Sequence, residues 1–118
     1  MKNYKHGDII NISDKEYTII CTYKNHYKIS NDGFGLVDYE TLQIVLEPIY
    51  RFIDFYLDYY IISLVAYKYG LADINTGKIL LKPEYDANHT NDLIKIYEDK
   101  LLLKEKLRQL KEDIADGL

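Results

Sequence analysis

The stretch Tyr69-Gly70-Leu71-Ala72-Asp73-Ile74-Asn75-Thr76-Gly77-Lys78-Ile79-Leu80-Leu81-Lys82-Pro83-Glu84-Tyr85 decides the fold, because an earlier stretch repeats it. A shift of 35 residues lays Phe34-Gly35-Leu36-Val37-Asp38 on Tyr69-Gly70-Leu71-Ala72-Asp73 and Thr41 on Thr76. The same shift lays Ile44-Val45-Leu46 on Ile79-Leu80-Leu81, and Pro48 and Tyr50 on Pro83 and Tyr85. Both prolines of the chain take part. Matches at one fixed offset mark a tandem repeat of a single supersecondary unit.

Each copy reads as a β-hairpin. Residues 34–39 and 69–74 are short strands rich in aromatic and branched side chains. Gly35 and Gly70 sit inside them, where a missing side chain marks a bulge or the close approach of another backbone. Asp73 to Lys78 forms the turn, with Gly77 free to take positive φ and Asp38 and Asp73 capping the turns through Asx-type bonds. Leu42 stands where the second copy has Gly77, so the first turn is expected to differ. Proline cannot donate to a ladder, so Pro48 and Pro83 are expected to end the second strands. Residues 52–56 and 59–66 supply two more strands around Leu57-Asp58.

The flanks complete a single domain of 118 residues: 1–30 an N-terminal β cap, 31–65 repeat 1, 66–97 repeat 2, 98–118 a C-terminal helix. Two repeats are few, since about three or more are needed to bury one another's faces. The N-terminal meander (8–12, 16–23, 27–30) must therefore cap the stack, and its Gly-Asp-Ile-Ile opening looks like the start of a small SH3-like barrel. Residues 92–97 offer a last strand. The resulting fold class is mainly β: an antiparallel meander of short hairpins from two tandem repeats, an N-terminal β-hairpin cap and one C-terminal amphipathic α-helix.

The pattern aromatic-Gly-Leu-x-Asp, turn, aliphatic strand, Pro-x-Tyr resembles the bacterial WG-repeat (KWG-type) β-repeat proteins. Lys68 to Asp86 is the closer match and Asp32 to Tyr50 the looser one. Phe34 and Tyr69 stand where that family has tryptophan. The resemblance implies an all-β repeat and a role in protein–protein interaction, and it implies no catalytic residue.

From Asp99, a plausible N-cap, the period lengthens. Leu103, Leu107, Leu110 and Ile114 recur at spacings of 4, 3 and 4 with charged residues between them, and Gly117 lies past the end. Glu105/Arg108 and Arg108/Glu112 are spaced to pair along the surface. Most amphipathic helices pack at home, so the protein's own sheet is the first expectation for the leucines, with Leu101 and Leu102 widening the contact. A partner protein or a second copy of the chain is the alternative.

Chemistry is sparse. His6, His26 and His89 share no ligand spacing, and Cys21, the single cysteine, has no mate and reads as a small buried hydrophobe. Ser13, Ser30 and Ser63 lie in no nucleophile motif, and Gly33-Phe34-Gly35 opens a strand rather than a helix. No catalytic residue, metal site or cofactor is expected. A net charge of −4 argues against nucleic acid or a membrane surface as partner. No signal-like or membrane-length apolar run stands out, which predicts a cytoplasmic protein; Asn88-His89-Thr90 matches a glycosylation acceptor by chance. What remains is a non-enzymatic interaction module. It is a small adaptor or inhibitor of bacterial or phage type, or else a homo-oligomer joined by the C-terminal helix. The candidate contact residues are Tyr56, Tyr59, Tyr60 and Tyr67, from a chain with 13 tyrosines and no tryptophan, together with Leu103, Leu107, Leu110 and Ile114. Exposed tyrosines favour binding surfaces, although most aromatics simply fill a sheet.

Overall fold

The computed structural model describes residues 3–86 and 89–116, so Asn88 and Gly117 lie outside the described residues. The elements are β1 (Ile9–Ile12), β2 (Lys15–Thr22), β3 (His26–Ser30), β4 (Phe34–Asp38), β5 (Ile44–Tyr50), β6 (Phe52–Tyr56), β7 (Tyr59–Val65), β8 (Lys68–Asp73), β9 (Ile79–Tyr85) and α1 (Thr90–Asp116). Every strand pair is antiparallel and joins sequence neighbours. Strands β1 to β5 form one sheet and β6 to β9 a second. The protein is thus mainly β, with an N-terminal hairpin leading in and one helix leading out.

The two copies fold alike, register for register. In the first sheet Phe34 faces Tyr50, Leu36 faces Leu46 and Val37 faces Ile44. In the second, Tyr69 faces Tyr85, Leu71 faces Leu81 and Ala72 faces Ile79, each number 35 higher. The glycines explain the shared irregularity. A Cβ on Gly35 would lie 2.5 Å from the Leu46 carbonyl oxygen and 2.8 Å from the Pro48 Cα; one on Gly70 would lie 2.3 Å from the Leu81 oxygen and 2.7 Å from the Pro83 nitrogen. The proline bulge of each edge strand lies directly over the glycine of its neighbour. The strands therefore run through Pro48 and Pro83 to Tyr50 and Tyr85 instead of stopping, because an edge strand at a bulge has no ladder bond for the proline to break.

The first turn also copies the second. The amides of Glu40 and Thr41 donate to Asp38 Oδ1 at 2.9 Å, as those of Asn75 and Thr76 donate to Asp73 Oδ1 at 2.8 and 3.0 Å. Leu42 takes φ 61° where Gly77 takes φ 75°, so the expected difference in the turn does not arise. A left-handed leucine costs roughly 1–2 kcal/mol. Its half-buried side chain packs on the cluster around Tyr17 and Val37. A side chain at Gly77 has no such room, since its Cβ would meet Val45 Cγ1 of the first sheet at 2.1 Å.

The sheets extend the repeat further back than the sequence shows. Ile19 pairs with Ile29 and Ile29 with Gly35; Ile53 pairs with Ile62 and Ile62 with Gly70. From Ile29 to Gly35 is six residues and from Ile62 to Gly70 eight, and from Ile19 to Ile29 is ten against nine from Ile53 to Ile62, so differences in hairpin and strand length throw the earlier strands off the 35-residue offset. The structural unit is a four-stranded sheet, β2–β5 or β6–β9, and the sheets divide at Arg51. The sequence period of 31–65 and 66–97 is out of phase with them.

The units stack head to tail. Leu36, Leu46 and Tyr50 on the back of the first sheet share a core with Ile53, Tyr60, Ile62 and Ala72 on the front of the second. The front of the first sheet, Ile19, Tyr27, Ile29 and Val37, is closed by Tyr4 and Ile10. The back of the second, Leu71 and Leu81, is closed by Leu93 of α1, with Ile94, Ile96 and Tyr97 beside it. Segment, sheet, sheet and helix thus form four layers, and the helix occupies the place of a third unit. Residues 92–97 are accordingly helical, not a strand, and Asp99 lies inside the helix, not at its start. An amphipathic face can close an apolar sheet as well as a strand can, and periodicity over six residues does not separate the two.

Candidate interaction surface

The helix divides into a docked half and a free half, each with apolar residues on one side. Leu93 is 2% exposed against the second sheet, whereas Leu103, Leu107, Leu110 and Ile114 are 52–62% exposed. Every described side chain from Glu98 to Ile114 is exposed. At 1.5 Å per residue the 14 positions from Leu101 to Ile114 reach about 21 Å beyond the last contact with the sheets, in keeping with a molecule 60 Å long and 32 Å wide. The leucines therefore do not pack on the protein's own sheet, and Leu101 and Leu102 are exposed as well. The docked half ends where Lys100 Nζ bonds the Tyr85 hydroxyl and lies over its ring. Arg108 joins Glu105 and, at 3.1 Å, Glu112, which supports the free half by a few tenths of a kcal/mol per pair, ~0.2–0.5. The free half of the helix thus carries a regular apolar row that nothing in the protein covers.

The tyrosines separate into different roles. Tyr67 is 79% exposed, at a left-handed φ of 67° in the β7–β8 hairpin, and Tyr56 is partly exposed on β6. Tyr59 is half-buried, its ring edge-on to Tyr97 of α1 at 6.0 Å. Tyr60 is fully buried between the sheets and cannot reach a partner. Its position opposite Ala72 on the front face, the counterpart of Tyr27 opposite Val37, makes it core.

Exposed apolar residues also collect on β6, the first edge of the second sheet, where sequence reasoning placed only Tyr56. Phe52, Phe55 and Leu57 stand out to solvent there. Phe52, Phe55 and Tyr56 line a groove of about 330 Å³ that reaches Thr90 and Leu93 at the start of α1. One signal was present in the sequence: Phe55 and Tyr56 are consecutive, and on a strand one of two consecutive side chains faces away from any given core. Nothing local says that β6 is an edge.

The polar centre between the sheets is structural. His26 Nδ1 and the Tyr60 hydroxyl share a 2.7 Å hydrogen bond, and the Tyr23 hydroxyl donates to the Ile53 carbonyl at 3.2 Å. Lys28 Nζ reaches the same carbonyl at 2.8 Å. Burial holds His26 below its ordinary pKa and pushes the Tyr23 and Tyr60 hydroxyls up, so all three are neutral near pH 7. Asp38 lies on the surface, held low by the backbone amides of Thr41 and Glu40. These bonds, from buried His26 and Tyr60 and half-buried Tyr23 and Lys28, tie the two sheets together. Among the described residues no three His, Cys, Asp or Glu side chains are grouped to hold a metal ion, and no helix is long and apolar enough to cross a membrane.

In comparisons with known proteins, no family, no curated protein and no solved structure matches the chain.

Proposed function

We propose that this protein is a non-enzymatic protein–protein interaction module, an adaptor or inhibitor acting in the cytoplasm, which docks on another protein through the projecting half of α1. The observation that carries this reading is the row Leu103, Leu107, Leu110 and Ile114, regularly spaced and uncovered on a helix whose other half is firmly docked. An apolar helix face of this pattern is what partner grooves and partner helices recognise. The stacked units are the rigid base, and in this reading they are degenerate WG-type repeats. Exposed Tyr56, Tyr67 and Phe55 are secondary contacts, enriched types at interfaces.

The spacing of 4, 3 and 4 also suits pairing between two copies of the chain, which is the second reading. The test is the double variant Leu107→Asp with Leu110→Asp, compared with the unaltered chain by circular dichroism, light scattering and affinity capture from native lysate. The expected result is an unchanged fold with loss of a stoichiometric protein partner. Loss of folding would return the stripe to the core and sink the proposal. A dimer that the variant dissociates, with no other protein captured, would establish the homo-oligomer instead.

A further inference from the structure

The charges beside the leucine stripe say what kind of helix fits it. At 100° per residue, Leu103, Leu107, Leu110 and Ile114 centre one face, and Lys100, Lys104 and Lys111 line one flank. The opposite flank carries Lys106 between Asp99 and Asp113. The acids of the far face are already engaged, because Glu105 and Glu112 both pair with Arg108. Among the described residues no carboxylate pairs with Lys104, Lys106 or Lys111. A chain with a net charge of −4 thus presents its uncovered apolar row beside a cationic flank, while the other flank has two aspartates to one lysine.

Two copies of this helix do not satisfy that flank. Side by side in parallel, Lys111 meets Lys106 of the second copy, which offsets the attraction of Asp99 for Lys104. In the antiparallel arrangement Lys104 meets Lys111 of the second copy, which offsets the attraction of Lys106 for Asp113. Flanking charges set partner choice in paired helices. Resting on the reading of the stripe as a docking face, we infer that its partner is a different protein presenting an amphipathic helix with Asp or Glu on the side of its apolar row that meets Lys104 and Lys111. Such a helix covers the leucines and places carboxylates against Lys104 and Lys111.

The test uses the full chain and two synthetic helical probes with the same leucine row, one flanked by Glu and the other by Lys, with binding read by fluorescence anisotropy at two salt concentrations. The Glu-flanked probe is expected to bind about tenfold tighter, the gap narrowing at high salt. The double variant Lys104→Glu with Lys111→Glu, both exposed and away from the sheets, is expected to reverse the preference. The overall negative charge alone would favour the Lys-flanked probe, so the sign of the difference separates local from global electrostatics. Equal binding of both probes would overturn the acidic partner and leave helix docking standing. Binding of neither probe would overturn docking as well. A stable dimer in light scattering that neither probe dissociates would show that a second copy is the occupant.

Discussion

The two sheets share a register but not a neighbour, and their differences follow from the neighbour. The back of the first sheet is covered by a sheet and the back of the second by a helix. Tyr50 is buried in the first setting, and its counterpart Tyr85 is only half-buried in the second, because a helix covers less of a sheet edge than another sheet does. Leu42 and Gly77 hold the same turn at similar φ, yet only Gly77 has the preceding sheet pressed against it. The turn and the bulge belong to the unit, while burial belongs to the stack.

The strongest way to break this comparison is to hollow the two interfaces in turn. Leu36→Ala opens the sheet–sheet core and Leu93→Ala the sheet–helix core, and each is expected to cost about 2–5 kcal/mol in denaturant unfolding. A much milder loss for Leu93→Ala would mean that the helix is a loose cover and not a third layer. Gly77→Ala comes next, with an expected loss of about 1–3 kcal/mol from the contact with Val45 and the left-handed φ. Leu42→Ala is expected to lose about 1 kcal/mol, since only a half-buried side chain is trimmed and the turn is kept. Equal losses at the two positions would remove the stacking explanation of Gly77.

A pH series sharpens the comparison at the joint itself. His26 of the first sheet bonds Tyr60 of the second, and burial keeps its folded pKa below the ordinary 6.5. Below pH 6.5 the unfolded chain takes up a proton that the folded one resists, so stability is full above that pH and falls as the pH drops. His26→Gln is expected to flatten the slope between pH 7 and 5 in urea midpoints. An unchanged slope would place the sensitivity elsewhere. Asp38 adds a separate loss only near and below its unfolded value of 3.8, since its folded value is lowered. The smallest expected effect on stability is at Leu107→Ala in the free half of α1, within about 0.5 kcal/mol. Its consequence is expected in binding, and a stability loss comparable with that of Leu93→Ala would erase the distinction between the two halves of the helix.

Much of the fold was legible because its signals are local. Asp38, Asp73 and Gly77 write the turns through bonds that span two to four residues. Gly35 with Pro48 and Gly70 with Pro83 write a bulge across one hairpin. The earlier strands of each unit escaped the offset because length differences in their hairpins displaced them, although the register makes Ile53 the counterpart of Ile19 and Tyr60 that of Tyr27. Proline was misleading as a strand end, since its missing donor matters only where a neighbouring strand needs it.

The candidate surface was legible as a pattern and not as a location. By sequence alone, this chain determined its hairpins, its paired turns, its bulges and a helix with an apolar row, because these depend on backbone sterics and short-range hydrogen bonds. Only the tertiary structure decided that Tyr60 is core while Tyr67 is surface, and that Leu93 is covered while Leu103 is not. Each pair is one residue type on one kind of element or its hairpin, so residue type alone does not separate its members. Burial depends on which layer lies opposite, and that is settled by residues distant in sequence stacking head to tail.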